Sequence, residues 1–221
     1  MVVTYCAVIM LLIVAYLLGS IPSAVWIGKH YYGVDIREHG SRNAGATNML
    51  RVLGLRAALP VFVIDFFKGF LAVSLMGLMR FDVDITTPWV INLKIIAVVF
   101  AVLGHIFPVF ASFKGGKGVS TLIGAITGIQ PNIALLCFLV WLLVFVFTHY
   151  VSLSSIISGC SFPVFVTVFS GNIYRLHGDT SISFILFSFV VAFLLVWTHR
   201  ANISRLRSGT EPKTYIWKKR R

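Results

Sequence analysis

The sequence predicts an all-α integral membrane protein. Of its 221 residues, 58% are hydrophobic and only 12% are charged, and the mean hydropathy is +0.91. A water-soluble domain of this length cannot cover that much apolar side chain with so few charges. Apolar runs of bilayer-spanning length also recur along the chain. The net charge of +12 would suit a nucleic-acid-binding protein, but such a protein needs no runs of this kind, so we expect no nucleic-acid partner.

Seven apolar segments are predicted as helices of one membrane domain that covers residues 1–221. The first segment has no basic start and no Ala-x-Ala site after it, so we expect a retained helix rather than a signal peptide. The fourth segment is short and rich in glycine and threonine, so six spans are the alternative if it is re-entrant. The segments are residues 5–27, 57–79, 89–110, 119–129, 132–147, 155–169 and 182–198.

The basic residues predict the orientation of these segments. With the amino terminus outside, 15 of the 19 lysines and arginines fall in cytoplasmic loops and in the carboxyl-terminal tail. The loop FDVDITTP, residues 81–88, is acidic and would lie outside. We therefore expect about seven transmembrane helices with an external amino terminus and a cytoplasmic carboxyl terminus.

The polar motifs gather on the predicted cytoplasmic side. A channel or carrier is expected to place polar groups at mid-membrane, accessible in turn from both faces. Polar groups at one face instead suit an enzyme that joins a water-soluble reactant to a lipid-soluble one. The motifs are GSIPSA, GSRNAGATNMLR, GHIFPVFASFKGGKGVST, THYVSLSS and THRANISRLRSGTE.

The stretch GSRNAGATNMLR combines glycines, hydrogen-bonding side chains and arginines. Arginine offers forked donors that match phosphate oxygens, and glycine lets the backbone approach a ligand closely. The same composition also suits an ordinary basic loop that caps two helices, and both interpretations stay open at this point. The candidate site residues are Ser41, Asn43, Gly45, Thr47, Asn48 and Arg51.

The stretch FKGGKGVST, residues 113–121, predicts a second anion site. It is not a nucleotide-binding phosphate loop, because Ala111 and Gly118 stand where that loop needs glycine and serine or threonine. Glycine amides and the start of the following helix nevertheless attract anions. Two lysines alone would serve as a positive-inside signal, and the three glycines favour the anion site over that alternative. The candidates are Lys114, Gly115, Gly116, Lys117 and Gly118.

Ionisable residues also lie inside two predicted helices. Asp65 and Lys68 are spaced three residues apart on one helix face, which suits either a structural ion pair or the lining of an active-site pocket. His105 lies nine residues before Lys114. A lone histidine beside a membrane helix is more often a structural hydrogen-bonding residue than a base.

The last polar motif adds three candidates. His199 and Asn202 share one face if the last helix continues, and Glu211, an acid in a strongly basic tail, is expected to pair with an arginine. No Ser-His-Asp or Cys-His set, no paired-histidine helix and no Cys-x-x-Cys pair is present, so we expect no metal and no cofactor.

Taken in order, these motifs resemble those of the bacterial acyl-phosphate-dependent glycerol-3-phosphate acyltransferases. The resemblance covers residues 19–211, and the ordered set is far more specific than any one motif. The sequence departs from the family pattern at Ala44, where proline is common in the family, and at His149, where arginine or lysine is common.

The resemblance implies a seven-helix protein of the bacterial plasma (inner) membrane with its active site on the cytoplasmic face. It implies acyl transfer from acyl-phosphate to the 1-position hydroxyl of glycerol 3-phosphate, with no obligate protein partner. It also implies that Ser41 and Arg51 are needed for activity and that the glycine loop with Lys117 shapes the glycerol 3-phosphate site. His199 and Asn202 fall in the third site motif, and Glu211 supports the structure.

Two other functions remain as alternatives on the sequence alone. One is a transporter of phosphate or an organic phosphate, and the other is a lipid-modifying enzyme that uses another donor such as acyl-CoA. For the acyltransferase, we expect a substrate phosphate oxygen to accept the proton, since no convincing base–nucleophile pair is visible. His105 and His199 are the side-chain alternatives.

Overall fold

A computed structural model describes residues 2–81, 87–169 and 179–215 of the chain. The secondary structure of these residues is helical throughout, and three short 3-10 turns, Ile36–Glu38, Leu75–Phe81 and Val109–Ala111, follow α2, α4 and α5 respectively. The helices are α1 (Val2–Gly19), α2 (Ser23–Tyr32), α3 (Ala46–Val52), α4 (Leu55–Ser74), α5 (Thr87–Ile106), α6 (Val119–Thr127), α7 (Pro131–Thr148), α8 (Val151–Phe169), α9 (Asp179–Thr198) and α10 (Arg200–Arg207).

The predicted all-α membrane fold is confirmed. Five stretches of the described residues are long and apolar enough to cross a bilayer, and the bent pair α9–α10 makes six. They expose large apolar side chains outward, as lipid-facing helices do, for example Leu143 and Phe193. The count of seven spans and the orientation of the termini stay predictions, and residues 82–86 of the acidic loop lie outside the described residues.

The fourth predicted segment is the short helix α6. Its nine residues extend about 14 Å at about 1.5 Å per residue, which is half of the roughly 30 Å hydrocarbon layer. Its far end is anchored inside the bundle, because Lys94 Nζ of α5 donates a hydrogen bond to the Gly128 carbonyl at 2.9 Å. The chain therefore enters the bundle from the loop of Lys117 through α6 and the turn after it, and it returns through α7.

The first predicted segment is not one helix. The structure breaks it at Ser20–Pro22, where α1 ends and α2 begins. Pro22 has no backbone N–H and cannot continue the hydrogen bonding of α1. The Ile21 carbonyl at this break accepts a hydrogen bond from Lys68 Nζ at 2.8 Å, which ties the break to α4.

The last helix also departs from the prediction of a continued helix. It bends by 58° between α9 and α10, with His199 at the bend. His199 and Asn202 are nevertheless both buried, at 3% and 4% exposure. The bend turns a short, basic helix across the end of the bundle, and its buried face points inward.

Glycine contacts fix the position of α6. Gly69 of α4 packs against the Thr121 carbonyl of α6, and Gly124 of α6 packs against the Phe66 carbonyl of α4, so that a Cβ at either glycine would collide with backbone atoms. Small residues allow this kind of close backbone packing between membrane helices. The close crossing determines where α6 begins, and therefore where Lys117 lies.

The loops that carry the polar motifs meet at one end of the bundle. Arg37 Nη1, after α2, donates to the Ala111 carbonyl beyond α5 at 3.0 Å. The Thr214 amide in the tail donates to the His149 carbonyl between α7 and α8 at 2.8 Å. Asp35 accepts from Arg37 and pairs with Lys29, and these partners hold the pKa of its carboxyl far below the ordinary range.

Replacing Gly124 with alanine tests the close crossing of α4 and α6. The added Cβ meets backbone rather than a flexible side chain, so Gly124→Ala should destabilise the protein by about 1–3 kcal/mol, as overpacking does. Thermal unfolding in detergent, followed by tryptophan fluorescence, measures the change. Gly77→Ala is the matched control, because no atom lies within 4 Å of a Cβ built there. Equal midpoints for the two variants would contradict the role of the crossing.

Candidate active site

A buried carboxylate organises the polar end of the bundle. Glu211 Oε1 accepts hydrogen bonds from Ser152 Oγ at 2.8 Å and from Asn202 Nδ2 at 2.8 Å, and it pairs with Arg51 Nη2 at 3.2 Å. Its Oε2 accepts from Arg205 Nε at 2.7 Å. The Glu211 side chain is fully buried. The expected pairing of Glu211 with an arginine is confirmed, and the carboxylate joins α3, α8 and α10.

Lys117 joins this cluster, and His199 lies near enough to feel the charges of Lys117 and Glu211. Lys117 Nζ donates a hydrogen bond to Asn202 Oδ1, so Asn202 bridges the lysine and Glu211. His199 Nδ1 lies 2.8 Å from the Leu195 carbonyl. Since a carbonyl can only accept, Nδ1 carries the hydrogen and Nε2 keeps the lone pair.

The cluster is strongly electropositive. Three cations, Arg51, Lys117 and Arg205, surround the single carboxylate of Glu211. Burial, with the nearby arginines, lowers the pKa of Lys117 to about 8. Burial would raise the pKa of Glu211, but hydrogen bonds from Asn202, Arg205 and Ser152 hold it below its ordinary value. The excess positive charge favours an anion in this site.

A cleft of about 560 Å³ opens beside the cluster. Two of its lining residues have buried polar atoms, Arg51 Nε and Thr214 Oγ1, for which the described residues supply no hydrogen-bond partner. Buried polar groups are nearly always paired. The Arg51 and Thr214 side chains therefore keep hydrogen-bonding capacity beside the cleft. The cleft is lined by Gly40, Ser41, Leu50, Arg51, Arg205, Pro212, Lys213, Thr214 and Tyr215.

Asn48 shapes the loop that presents Ser41. Its Oδ1 accepts from the Ser41 amide at 2.9 Å, and its Nδ2 donates to the carbonyls of Ile36 and His39 at 3.0 and 2.9 Å. Asn48 is fully buried, whereas Ser41 is exposed at the cleft. Gly40 has φ +60°, and a Cβ there would collide with Asn48 Oδ1. The side-chain hydrogen bonds of Asn48 therefore go to the backbone, and its contact with a substrate stays a prediction.

The glycine-rich loop differs from an open anion nest. The Gly115 amide donates to the Ile106 carbonyl and the Gly116 amide to the His105 carbonyl, both at 3.1 Å. A Cβ at either glycine would collide with His105 atoms. Gly115 and Gly116 therefore let the loop fold back onto the end of α5, and these two amides are not free donors for an anion. Binding of substrate by these two glycines stays a prediction.

The loop also contains two lysines and leads into the first turn of α6, whose backbone amides can donate hydrogen bonds. Gly118, at φ +79°, caps α6 without a side-chain hydrogen bond, so the amides of the first turn of α6 remain as potential donors. Lys114 is exposed, whereas Lys117 is half-buried in the cluster. Of the two lysines, Lys117 is the one that the structure joins to Asn202.

Comparison with known proteins identifies the family. Residues 9–209 match the family model described as glycerol-3-phosphate acyltransferase. The chain belongs to this family. Glycerol-3-phosphate acyltransferases of Chlorobaculum tepidum and Fusobacterium nucleatum are 41% and 40% identical over 95% and 91% of this chain, which correspond to 97% and 95% of their own lengths.

Two crystal structures of an acyltransferase of this family have a similar fold. Both are of PlsY (YgiH), described as an integral membrane glycerol 3-phosphate acyltransferase. The glycerol 3-phosphate form is 39% identical, with a TM-score of 0.79, and covers 93% of this chain and 94% of its own. The lysophosphatidic acid form is 37% identical, with a TM-score of 0.76, and covers 95% and 96%.

In this acyltransferase, Asp65, Lys68 and His105 form a second buried cluster beneath the glycine loop. Asp65 Oδ1 accepts from Ser23 Oγ and pairs with Lys68 Nζ, each at 2.7 Å. His105 Nδ1 lies 3.7 Å from Asp65 Oδ1 and 3.1 Å from Thr121 Oγ1. The ion pair is therefore present, and it ties α2, α4, α5 and α6 together. Contact of Lys68 or His105 with substrate stays a prediction.

The remaining candidates of the first motif lie beside α3. Gly45 is the N-cap of α3 and Thr47 lies in its first turn, and Asn43 and Thr47 are half-buried. No described hydrogen bond joins Asn43 or Thr47 to the Glu211 cluster. Their binding of substrate stays a prediction.

Three residues of the candidate site are not indicated by the sequence motifs. Arg205 lies three residues after Asn202 and therefore shares its face on α10, which was not predicted as a separate helix. Ser152 lies in the motif THYVSLSS, but nothing in that motif indicates that its hydroxyl reaches Glu211. Thr214 comes to the cleft only because the tail folds back onto His149.

Glu211→Gln tests the carboxylate at the centre of the cluster. The neutral amide cannot balance the charges of Arg51 and Arg205, and its NH₂ group would face hydrogen-bond donors. The variant should therefore lose about 1–3 kcal/mol of stability at pH 7. Because folding lowers the pKa of Glu211, its stabilisation is present above the ordinary value of 4.5 and is lost as the pH falls below it. The gap in thermal midpoint between wild type and variant should therefore shrink in acid. Exposed Glu38→Gln is the control, and an equal drop in that variant would contradict the assignment.

Proposed function

We propose that this protein transfers a fatty acyl group from acyl-phosphate to the 1-position hydroxyl of glycerol 3-phosphate. The products are lysophosphatidic acid and inorganic phosphate, and the step is the first acylation of phospholipid synthesis. The observation that carries the proposal is the cation cluster of Arg51, Lys117 and Arg205 around Glu211. It lies at one end of a membrane bundle in a member of the glycerol-3-phosphate acyltransferase family.

Both proposed substrates are anions, and the cluster suits them. Acyl-phosphate brings a phosphate on an acyl chain from the lipid, and glycerol 3-phosphate brings a second phosphate from water. Arg51 and Ser41 at the cleft are assigned to hold one phosphate, and Lys117 with the start of α6 is assigned to hold glycerol 3-phosphate. Holding two reactants side by side supplies much of the rate acceleration for such a transfer.

The chemistry needs little acid assistance. The hydroxyl oxygen attacks the acyl carbon, the bond from that carbon to the phosphate oxygen breaks, and phosphate leaves with the electron pair of that bond. Cationic side chains stabilise the charge that develops on the departing phosphate. The hydroxyl proton passes to a phosphate oxygen of a bound substrate.

His199 is the strongest side-chain alternative as the base. Its Nδ1–H is directed to the Leu195 carbonyl, which leaves the Nε2 lone pair for a proton. His105 is instead held between Asp65 and Thr121 inside the bundle. Substrate assistance predicts that His199→Ala slows the reaction without removing the neutral-range limb of the pH–rate profile. Loss of that limb, with unchanged substrate binding, would make His199 the base.

We further propose that the site faces the cytoplasm at the plasma (inner) membrane of a bacterium. The support is the bias of basic residues, of which the described Arg51, Lys117 and Arg205 lie at the same end of the bundle. A cytoplasmic face would also give the enzyme direct access to a water-soluble phosphate ester.

An acyl-transfer assay on the purified protein tests the proposal. With labelled glycerol 3-phosphate, acyl-phosphate should give lysophosphatidic acid, and acyl-CoA should not. Arg51→Ala and Lys117→Ala should each lose about 10²-fold or more in kcat/KM, because each removes a charge-assisted contact with phosphate.

The assay is run in detergent, where no closed compartment exists, so product formation also separates an enzyme from a transporter. Arg56→Ala, which alters an exposed arginine outside the cluster and the cleft, is the matched control. Product from acyl-CoA alone would overturn the assignment, and so would wild-type rates in both the Arg51 and Lys117 variants.

The pH dependence of the rate tests the role of Lys117 as a cation. Since its pKa is lowered to about 8, Lys117 is protonated below that pH and loses its charge above it. The kcat/KM for glycerol 3-phosphate should therefore fall above about pH 8. The charge of the substrate phosphate, whose second pKa is about 6, does not change in that range.

Lys117→Arg should remove this alkaline limb, because the guanidinium stays charged to about pH 12. Rates are corrected for hydrolysis of acyl-phosphate without enzyme. An unchanged limb in Lys117→Arg would show that another group titrates there.

A further inference from the structure

The outer side of the α9–α10 bend carries a groove that faces away from Glu211. Along α10, Asn202 and Arg205 point to Glu211, whereas Arg200, Ser204 and Arg207 are exposed. At about 100° per residue, these two sets lie on opposite faces of the helix. The groove of about 620 Å³ is lined by the exposed set and by the end of α9.

The α9 half of the groove is apolar and aromatic. Phe193 and Trp197 line it and are 66% and 57% exposed. Helix α9 is the first part of a bent pair that is long and apolar enough to cross a bilayer. Tryptophan at the end of such a helix is typical of the membrane–water interface. This half of the groove therefore lies beside lipid acyl chains.

The α10 half of the groove is basic. The Arg200 guanidinium lies 5.1 Å from the centre of the Trp197 ring, which fixes its direction at the interface. Within residues 179–215 and the other described ranges, no carboxylate lies within 4 Å of Arg200 or Arg207. Arg205, on the opposite face of α10, pairs instead with Glu211. Two uncompensated guanidiniums therefore border an apolar groove at the membrane surface.

We propose that this groove binds one anionic phospholipid of the surrounding leaflet. The lipid phosphate lies between Arg200 and Arg207, and the Ser204 hydroxyl is within the same lining. Guanidiniums match phosphate oxygens with forked donors. One acyl chain follows Phe193 and Trp197 toward the hydrocarbon layer. The groove and the cleft at Ser41 and Arg51 have no described residue in common.

The occupant is a bilayer lipid rather than the acyl donor, because of where the groove lies. A donor must bring its phosphate to the side of α10 that carries Asn202, and the groove is on the opposite side. A lipid held there would stay in place through the reaction. It would brace α10, the helix that positions Asn202 and Arg205 in the cluster.

Native mass spectrometry of the delipidated, full-length protein tests the site. Dioleoyl phosphatidylglycerol is titrated against dioleoyl phosphatidylcholine as the neutral control. Wild type should bind one phosphatidylglycerol molecule more tightly than it binds further phosphatidylglycerol molecules. It should show no such tightly bound molecule of phosphatidylcholine. The double variant Arg200→Gln/Arg207→Gln should bind this one lipid at least tenfold more weakly. The conservative variant Arg200→Lys/Arg207→Lys should recover part of the affinity.

Arg56→Gln is the matched control, because Arg56 is an exposed arginine outside the groove. It should leave the affinity within twofold of wild type, and millimolar inorganic phosphate should not displace the lipid. Equal lipid affinity in wild type and the double glutamine variant would overturn the proposal. A second pair of results would also overturn it. If phosphatidylglycerol fails to bind wild type, and the double glutamine variant raises the KM for acyl-phosphate tenfold, the groove binds the acyl donor instead.

Discussion

The carboxylate of Glu211 holds the polar end of this molecule together. Arg51, Lys117 and Arg205 would repel one another in a partly buried site if no anion lay between them. Glu211 pairs with both arginines and reaches Lys117 through Asn202. One negative charge among three positive ones keeps the cluster folded and still leaves it attractive to phosphate. The cluster can thus be stable through its own contacts and still favour an anion beside it.

The cluster in turn requires the close packing of the membrane helices. Helix α6 is too short to cross a bilayer and is held against α4 at Gly69 and Gly124, where backbones touch. That contact, together with the loop folded back onto His105, fixes where Lys117 projects. On the opposite side, the bend at His199 brings Asn202 over the same point. The position of Lys117 and the packing of the membrane helices are therefore parts of one arrangement.

Much of this arrangement could be predicted from the chain itself. Hydropathy predicted a helical membrane protein, and the polar motifs identified Ser41, Arg51, Lys117, Asn202 and Glu211, of which all but Ser41 prove to be joined by contacts around Glu211. Other expectations failed for identifiable reasons. A hydropathy pattern does not register the break at Pro22 or the bend at His199. Nor does the glycine-rich pattern indicate that the amides of Gly115 and Gly116 donate to carbonyls of α5, and binding of substrate by these two glycines stays a prediction.

The sequence by itself determined that the chain is a helical membrane protein with its charge concentrated in a few polar motifs. These properties are local, because burial in lipid is encoded by runs of apolar side chains and charge by residue type. Only the tertiary structure decided which polar groups meet. Arg51 and Glu211 are 160 residues apart in the chain, and Ser152 and Arg205 carried no signal of their own. Such contacts follow from helix crossings and bends, which arise from three-dimensional packing rather than from any local pattern.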